Sequence, residues 1–233
     1  MTDPGQLFDD HAAEYDATVQ QAIGASGESV AFFAALRASL IVRVMNSTNV
    51  GLSMLDFGCG IGNMTRAVAR RFPRAELFGT DLSAQSLAKA RQLTNQPRLT
   101  FTMTESDRIP FDDGPFDVAF TSGVFHHIAP GERLQWAKEL CRVLKPGGRF
   151  FLFEHNPLNP LTVRVVRRIP FDQGVVLLRA GCTVRLLRDA GFTTSAPHYY
   201  FFFPRFLRAW RPLEHLMRRV PFGAQYFVVG QSS

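Results

Sequence analysis

The segment LSMLDFGCGIGNMT, residues 52–65, constrains the fold of this chain more than any other part of the sequence. It reads as a short apolar strand, then a turn with Gly58, Gly60 and Gly62, then the beginning of a helix. Alternating glycines let the backbone turn sharply at a strand end, and a ligand can lie close to it because no Cβ intervenes. Glycine-rich turns also have purely structural uses, so the meaning of this turn depends on the sequence around it.

Strands and helices alternate after this turn. The hydrophobic pattern predicts strands at 52–57, 75–81, 98–103, 115–122, 149–154, 192–202 and 224–230, and helices between the earlier ones at 62–72, 84–94 and 130–144. This alternation predicts a seven-stranded, mostly parallel α/β sheet with helices on both faces. We expect the last two strands to form an antiparallel pair at one edge.

Two further parts of the chain flank this pattern. Apolar Phe8, Ala12, Tyr15 and Val19 share one face of a helix, and a second apolar helix follows a glycine-serine break. We therefore expect an N-terminal helical cap over residues 1–48 and the main domain over 49–233. Within the main domain, the proline-punctuated segments at about 156–182 and 204–222 are expected to form a lid over a substrate.

Composition narrows the class of protein. Apolar residues make up 46% of the chain and charged residues 20%, which is typical of a soluble globular protein. No apolar run approaches the roughly 20 residues that span a bilayer, and MTDPGQLFDD does not read as a secretory signal. The three cysteines are widely spaced and match no zinc or redox pattern, which favours a reducing, cytoplasmic setting.

The net charge of +6 is unevenly distributed. Residues 156–222 hold 11 arginines, no lysine and 3 acids, a sum of +8, so the remaining residues sum to −2. A basic C-terminal third indicates an anionic or lipid-linked substrate, peripheral contact with a membrane, or a nucleic acid. A solvated face with ordinary aromatic packing is the alternative. Since the chain has 23 arginines and 3 lysines, a general preference for arginine explains the residue type but not its clustering.

The carboxyl ends of parallel strands form the ligand crevice in sheets of this kind. Asp56 precedes the glycine turn, and Asp81 follows the next strand at a position where a carboxylate can accept both hydroxyls of a ribose. The order acid-x-G-x-G-x-G differs from the G-x-G-x-x-G that binds pyrophosphate. A ligand with an ammonium, a sulfonium and a ribose therefore fits better than a dinucleotide, and an NAD(P) oxidoreductase is the less favoured class.

The segments LDFGCGIGN, GTDLS, ESDRIPFDDGPFDVAF, HHI and ELCRVLKPGGRFFLFEHNP follow one another over about residues 50–156. In this order they resemble the successive motifs of class I S-adenosylmethionine-dependent methyltransferases, most of all the ubiquinone/menaquinone-biosynthesis branch. The resemblance implies a Rossmann-like fold, S-adenosylmethionine as cofactor and S-adenosylhomocysteine as product.

The same resemblance implies residue roles. Asp56 and the glycine turn would hold the methionine portion, Asp81 the ribose, and Leu82 the adenine. Glu105 stands where the family usually has aspartate, and Tyr15 would cover the methionine end. The full set of implied cofactor-binding residues is Tyr15, Asp56, Gly58, Cys59, Gly60, Asp81, Leu82, Glu105, Ser106 and Ser122.

Histidines stand at two neighbouring strand ends, His126 and His127 after the fourth strand and His155 after the fifth. An imidazole ordinarily titrates near neutrality, so each is a candidate general base. The alternative is a histidine that only shapes the pocket, because positioning alone can supply much of the acceleration. No metal is expected, because no group of acids accompanies these histidines at ligand spacing.

We therefore expect methyl transfer to a small-molecule or lipid- or glycan-linked acceptor, with oxygen as the first choice of acceptor atom. Nitrogen or carbon is the alternative. An RNA substrate is less favoured, since SGVFHHI lacks the amide-proline motif that binds a flipped base. A binding module that has kept the fold without catalysis also stays open.

Overall fold

The structure is a computed structural model, and it describes residues 4–46, 48, 51–105 and 107–233. Three helices come first, α1 (Pro4–His11), α2 (Tyr15–Ile23) and α3 (Val30–Met45). The alternating region consists of β1 (Ser53–Phe57), α4 (Asn63–Arg71), β2 (Glu76–Asp81), α5 (Ala84–Gln92), β3 (Leu99–Met103), β4 (Phe116–Ser122), α6 (Arg133–Arg142) and β5 (Leu144–His155). Among the helices described, none is long and apolar enough to cross a membrane.

The rest of the chain is more irregular. It contains α7 (Pro160–Val166), α8 (Ala180–Asp189), β6 (Thr193–Thr194), β7 (His198–Tyr200), a 3₁₀ segment (Arg205–Leu213), α9 (Glu214–Met217) and β8 (Gln225–Gln231). The boundaries of α6 and β5 differ by several residues from those expected. Helix α6 begins at Arg133 rather than Pro130, and residues 145–148, expected as a helix stop, already belong to β5.

The sheet has the order β3-β2-β1-β4-β5-β8-β6, with β7 also paired to β8. The first five strands pair in parallel, and β8 runs antiparallel to β5, β6 and β7. This arrangement confirms the Rossmann-like, mostly parallel α/β architecture with antiparallel strands at one edge.

The expected count of seven strands is wrong, because the described residues form a sheet of eight. The single strand expected at 192–202 is interrupted between β6 and β7, and both pieces pair with β8. Pro197 lies in the interruption and has no backbone N–H to donate to a ladder. Ser195 also leaves the regular pattern, since its hydroxyl accepts the Val229 N–H at 3.1 Å. The edge strand is therefore divided at these residues.

Side chains that alternate along the strands build a core on each face of the sheet. On one face, Met54, Phe120 and Phe151 pack with α3 and α4. On the other face, Leu55 and Phe150 pack with α6 and α8. Helix α3 thus shares its core with the sheet. Residues of α1 and α2 belong to a separate cluster, in which Phe8 and Tyr15 pack with Phe171. The members of that cluster are Phe8, Tyr15, Val19, Ala22, Val165, Ile169 and Phe171. The division at residue 48 stays a prediction.

Carboxylates on α1 and α2 contact the beginnings of two other helices. Asp9 Oδ1 accepts hydrogen bonds from Ser83 Oγ at 2.5 Å and from the Gln85 N–H at 3.0 Å, where α5 begins. Asp16 Oδ1 accepts one from Asn63 Nδ2 at 2.7 Å, where α4 begins. Negative charge is favoured at helix N-termini, where backbone N–H groups lack partners. These contacts hold α1 and α2 over the carboxyl ends of β1 and β2.

Candidate active site

The glycine turn after β1 adopts a backbone that favours glycine at each alternate position. Gly58, Gly60 and Gly62 have φ values of 70°, 52° and 79°, in the left-handed region. A Cβ on Gly58 would lie 2.4 Å from a methyl carbon of Val124, so this glycine lets the turn pack against the segment after β4. A Cβ on Gly60 would meet no atom within 4 Å. The turn is therefore packed on one side and open at Gly60.

Asp81 shapes this turn from the end of β2. Its Oδ2 accepts the Gly60 N–H at 2.7 Å, and its Oδ1 accepts the Ser83 N–H at 2.9 Å. Burial raises the pKa of Asp81, while the hydrogen bonds from these backbone N–H groups oppose that rise. The carboxylate is thus oriented by backbone donors beside the open face of Gly60.

Asp56 lies behind the turn and is almost completely buried, with 1% of its surface exposed. Thr65 Oγ1 donates a hydrogen bond of 2.6 Å to its Oδ2. Burial raises the pKa of Asp56 to about 7, against the lowering effect of the Thr65 bond. Asp56 therefore links the end of β1 to α4, and its expected contact with a cofactor ammonium stays a prediction.

The remaining residues implied as cofactor contacts differ in their surroundings. Tyr15 stacks on Phe171 with ring centroids 5.1 Å apart, and burial raises the pKa of its hydroxyl. Burial also raises the pKa of the Cys59 thiol well above its usual range, which makes it a packing residue rather than a nucleophile. Leu82 and Ser122 are half-buried, and Glu105 is exposed. Ser106 lies outside the described residues.

This arrangement fits the cofactor implied by the resemblance. Gly60 offers backbone that a side chain would cover, and an oriented carboxylate lies directly beside it. A ribose needs acceptors for its hydroxyl groups, and Asp81 supplies them. The buried Oγ1 of Thr80, next to Asp81, has no hydrogen-bond partner among the described residues. Gly58, Gly60 and Asp81 would therefore hold the cofactor, under the cap formed by α1 and α2.

We call Gly58, Gly60 and Asp81 the cradle. Histidine and carboxylate side chains lie close together beside it. His126 Nδ1 lies 2.7 Å from Glu154 Oε2, and both side chains are buried. Asp172, from the segment after α7, has its Oδ1 3.1 Å from His127 Nε2 and 3.8 Å from His126 Nε2. His155 completes the group, with its ring centroid 5.4 Å from that of His126. We call His126, His127, Glu154, His155 and Asp172 the histidine–carboxylate cluster.

The cluster assigns different protonation states to its histidines. Burial alone would lower the pKa of His126, but the hydrogen bond to Glu154 and attraction to the carboxylates of Glu154 and Asp172 raise it to about 10. The same contacts lower the pKa of Glu154 and Asp172 in spite of their burial. Burial, together with the charge on His126, lowers the pKa of His155 to about 4. At neutral pH His126 is therefore charged and His155 neutral.

Asp172 is the residue that sequence reasoning missed. We expected no metal because no group of acids accompanies the histidines at ligand spacing in the sequence, whereas in the structure Asp172 approaches them from 45 residues downstream. His126, His127 and Asp172 each place a possible ligand atom within 4.8 Å of the others. The only signal in the sequence was an acid inside the expected lid segment. That no metal takes part stays a prediction.

Comparison with known proteins agrees with the fold and the cradle. Residues 54–148 match the family model described as a methyltransferase domain. The demethylmenaquinone methyltransferase of Deinococcus radiodurans is 32% identical over 175 residues, which cover 74% of this chain and 68% of that protein. Methyltransferase phqN of Penicillium fellutanum is 31% identical over 157 residues, which cover 63% of this chain but only 47% of that protein.

A solved structure shows the same fold over nearly the whole chain. It is the complex between the Trm112 methyltransferase activator of Haloferax volcanii and a putative methyltransferase, matched with a TM-score of 0.68, 23% identity and 97% coverage of both chains. Fold and site together define a Rossmann-like enzyme that binds S-adenosylmethionine. The chain belongs to the class I S-adenosylmethionine-dependent methyltransferases.

Replacement of Asp81 by asparagine tests the cradle. Because the variant loses the charge that would bind the ribose, we expect the affinity for S-adenosylhomocysteine to fall about tenfold to a hundredfold. Isothermal titration calorimetry measures this affinity. Asp112→Asn is the matched control, since Asp112 is exposed in the turn before β4. If wild type and Asp81→Asn bind S-adenosylhomocysteine with equal affinity, the Asp81 carboxylate does not contribute to cofactor binding.

The pKa of His126 makes a prediction about stability. A folded-state pKa raised from 6.5 to about 10 stabilises the fold fully below pH 6.5, and this contribution is lost as pH rises toward 10. The free energy of unfolding should therefore fall between pH 7 and 9, by at most about 1.4 kcal/mol per pH unit from this group. Urea denaturation at several pH values measures this free energy of unfolding. It should fall less steeply with pH in the double variant His126→Gln/Glu154→Gln than in wild type. Identical slopes would contradict the charged pair.

Proposed function

We propose that this enzyme methylates a small-molecule acceptor that carries an ionisable hydroxyl, with oxygen as the first choice of acceptor atom. The observation that supports this most directly is the position of His127 and Asp172 beside the cradle formed by Gly58, Gly60 and Asp81. S-adenosylmethionine, when bound, supplies a methyl group on a cationic sulfur that leaves as a neutral thioether. A hydroxyl acceptor must lose its proton, so the protein needs a base at this position.

His127 is the best candidate for that base. His126 is held in its charged form by Glu154 and Asp172, and the lowered pKa of His155 makes it a weak base. Asp172 accepts the Nε2–H of His127 at 3.1 Å, which leaves the Nδ1 lone pair free to take the acceptor's proton. Asp172 acts here as a positioning residue, because it orients the imidazole and stabilises the charge that develops on it.

The cap and the lid give this site an apolar enclosure. The Phe8 ring meets His127 edge to face with centroids 5.0 Å apart, and Phe171 packs against both Phe8 and Tyr15. Aromatic side chains at this point favour an acceptor with a ring or a hydrocarbon chain, and they exclude water from the proton transfer. The name of the Deinococcus relative, which refers to a quinone, supports a lipid-soluble acceptor of this kind. A glycan-linked acceptor and a cytoplasmic setting stay predictions.

Carbon methylation is the second candidate, and it is favoured by the name of another relative, the ubiquinone/menaquinone biosynthesis C-methyltransferase UbiE of Syntrophotalea carbinolica, which is 32% identical over 117 residues. Removal of a proton from the hydroxyl of a phenol or a reduced quinone also enriches the neighbouring ring carbon in electrons. The same base therefore serves both reactions, and only the orientation of the acceptor distinguishes them. Mass spectrometry with nuclear magnetic resonance of the product identifies the methylated atom.

Replacement of His127 by alanine tests the base. With labelled S-adenosylmethionine and a panel of phenols, naphthols and demethylmenaquinol, we expect kcat to fall about 10²- to 10⁴-fold. Asp172→Asn should lower kcat more than it changes KM, because it alters proton transfer rather than binding. His215→Ala is the matched control, since His215 is exposed and far along the chain in α9.

The outcomes separate the parts of this proposal. If His127→Ala keeps wild-type kcat and binds S-adenosylhomocysteine normally, the base assignment is wrong while methyl transfer stands. No turnover of any hydroxyl acceptor would contradict the acceptor class. Dialysis against EDTA should leave activity unchanged. A loss that added divalent metal restores would instead assign His126, His127 and Asp172 to metal binding.

A further inference from the structure

The segment between β7 and β8, residues 201–224, carries a row of exposed apolar side chains, and we call this segment the excursion. Leu207, Trp210 and Leu213 recur at every third residue of the 3₁₀ segment, which has a kink at Leu207, and Leu216 follows at the same spacing in α9. A 3₁₀-helix has three residues per turn, so Trp210 and Leu213, beyond the kink, lie above one another on one side. Trp210 is 56% exposed and Leu216 70%. Monomeric soluble proteins rarely expose a contiguous patch of large apolar side chains without a binding role.

The end of the excursion lies against the beginning of α7, where further large apolar side chains are exposed. Asn159 Nδ2 donates a hydrogen bond of 2.8 Å to the Phe222 carbonyl, and Asn156 Nδ2 donates to the Pro221 carbonyl at 3.0 Å. On either side of this junction, Leu161 is 72% exposed and Phe222 63%. We call the whole set, Leu158, Leu161, Phe206, Leu207, Trp210, Leu213, Leu216 and Phe222, the apolar docking face.

The excursion is held in place although its apolar residues are exposed. Glu214 accepts the backbone N–H groups of Phe201, Phe202 and Phe203 at 3.2, 2.9 and 3.0 Å. Arg211 pairs with Glu28 at 2.7 Å. The polar side chains of the segment thus attach it to the body of the protein, and the apolar ones are left facing outward. A loop stabilised only by its own hydrophobic contacts would bury them instead.

Arginines accompany the docking face. Arg164, Arg167 and Arg168 line an open groove of about 710 Å³ together with Pro157, Leu158, Pro160 and Val163. None of these three guanidinium groups has an ion-pair partner in the part of the chain that the structure describes. Arg208, Arg218 and Arg219 belong to the excursion itself. Phosphate groups are the anions that such clusters bind, by bidentate hydrogen bonds.

We propose that the docking face and its arginines bind the surface of an anionic phospholipid bilayer. Aromatic and leucine side chains enter the boundary between headgroups and acyl chains, and arginines contact lipid phosphates. The net charge of +8 over residues 156–222 is complementary to such a surface. The inference rests on the proposed function in one respect, because it provides a route by which a lipid-soluble acceptor reaches the lid directly from the membrane.

Vesicle co-sedimentation of the full chain tests this inference. The anionic vesicles contain phosphatidylcholine with about 30% phosphatidylglycerol, which gives them a negative surface potential. Binding to them should exceed binding to pure phosphatidylcholine at least about tenfold, and it should weaken as the salt concentration rises. Trp210→Ser/Leu216→Ser should reduce the binding about tenfold, and so should Arg167→Glu/Arg168→Glu. The matched controls are Leu93→Ser, exposed directly after α5, and Arg70→Glu, exposed on α4.

Tryptophan fluorescence separates insertion from adsorption. The chain has two tryptophans, Trp136 in the core and Trp210 on the docking face. In Trp136→Phe the remaining Trp210 emission should shift to the blue when anionic vesicles are added, because the ring leaves water. An unchanged spectrum, or wild-type affinity in both double variants, would overturn the inference.

The oligomeric state and the cofactor affinity of the double variants also test the membrane inference. A wild-type dimer that Trp210→Ser/Leu216→Ser converts to a monomer would assign the face to a second copy of the chain and overturn the membrane inference. The affinity of the double variants for S-adenosylhomocysteine should equal that of wild type. Loss of vesicle binding with intact cofactor binding therefore distinguishes failure of the docking face from failure of the enzyme.

Discussion

The pairing of β1 with β4 is the contact on which the site depends. Asp56 lies opposite Phe120 in this pair, so both strands end at the same edge of the sheet. The chain runs from β1 to β2 on one side and reaches β4 only after β3, so the order of connections reverses here. Gly58 and Val124 touch across the crevice that results. The cradle and the histidines are thus neighbours because of the sheet, although they are far apart in sequence.

Buried charged side chains hold the segment after α7, which contains Asp172, against the carboxyl ends of these strands. Glu154 is fully buried and needs a positive partner, because a lone buried carboxylate is costly. His126 provides that charge, and Asp172 contributes a second negative group from the segment after α7. The segment that contains Phe171 and Asp172 is therefore held at the strand ends by interactions between buried charges and by the packing of Phe171 against Phe8 and Tyr15. The charged form of His126 is a consequence of the same contacts.

Local pattern was enough to predict the parallel sheet, the glycine turn and the position of Asp81 at the end of β2, because glycine spacing and strand alternation act over short distances. The eighth strand was missed because residues 192–202 were interpreted as a single strand, whereas Ser195 and Pro197 divide this segment into β6 and β7. Asp172 was missed because its role depends on how the lid folds back over the sheet, and no local pattern encodes that. The docking face was visible only as clustered arginines, since exposure of Trp210 and Leu216 depends on the anchors at Arg211 and Glu214.

A crystal structure of the enzyme with S-adenosylhomocysteine would show whether the strand ends place the methyl donor beside the histidine–carboxylate cluster. We expect Asp81 to bind the ribose hydroxyls, and the sulfur to lie on the Gly60 side of the crevice and to face His127 and Asp172. A ribose bound away from Asp81, or a sulfur that faces away from the end of β4, would contradict it.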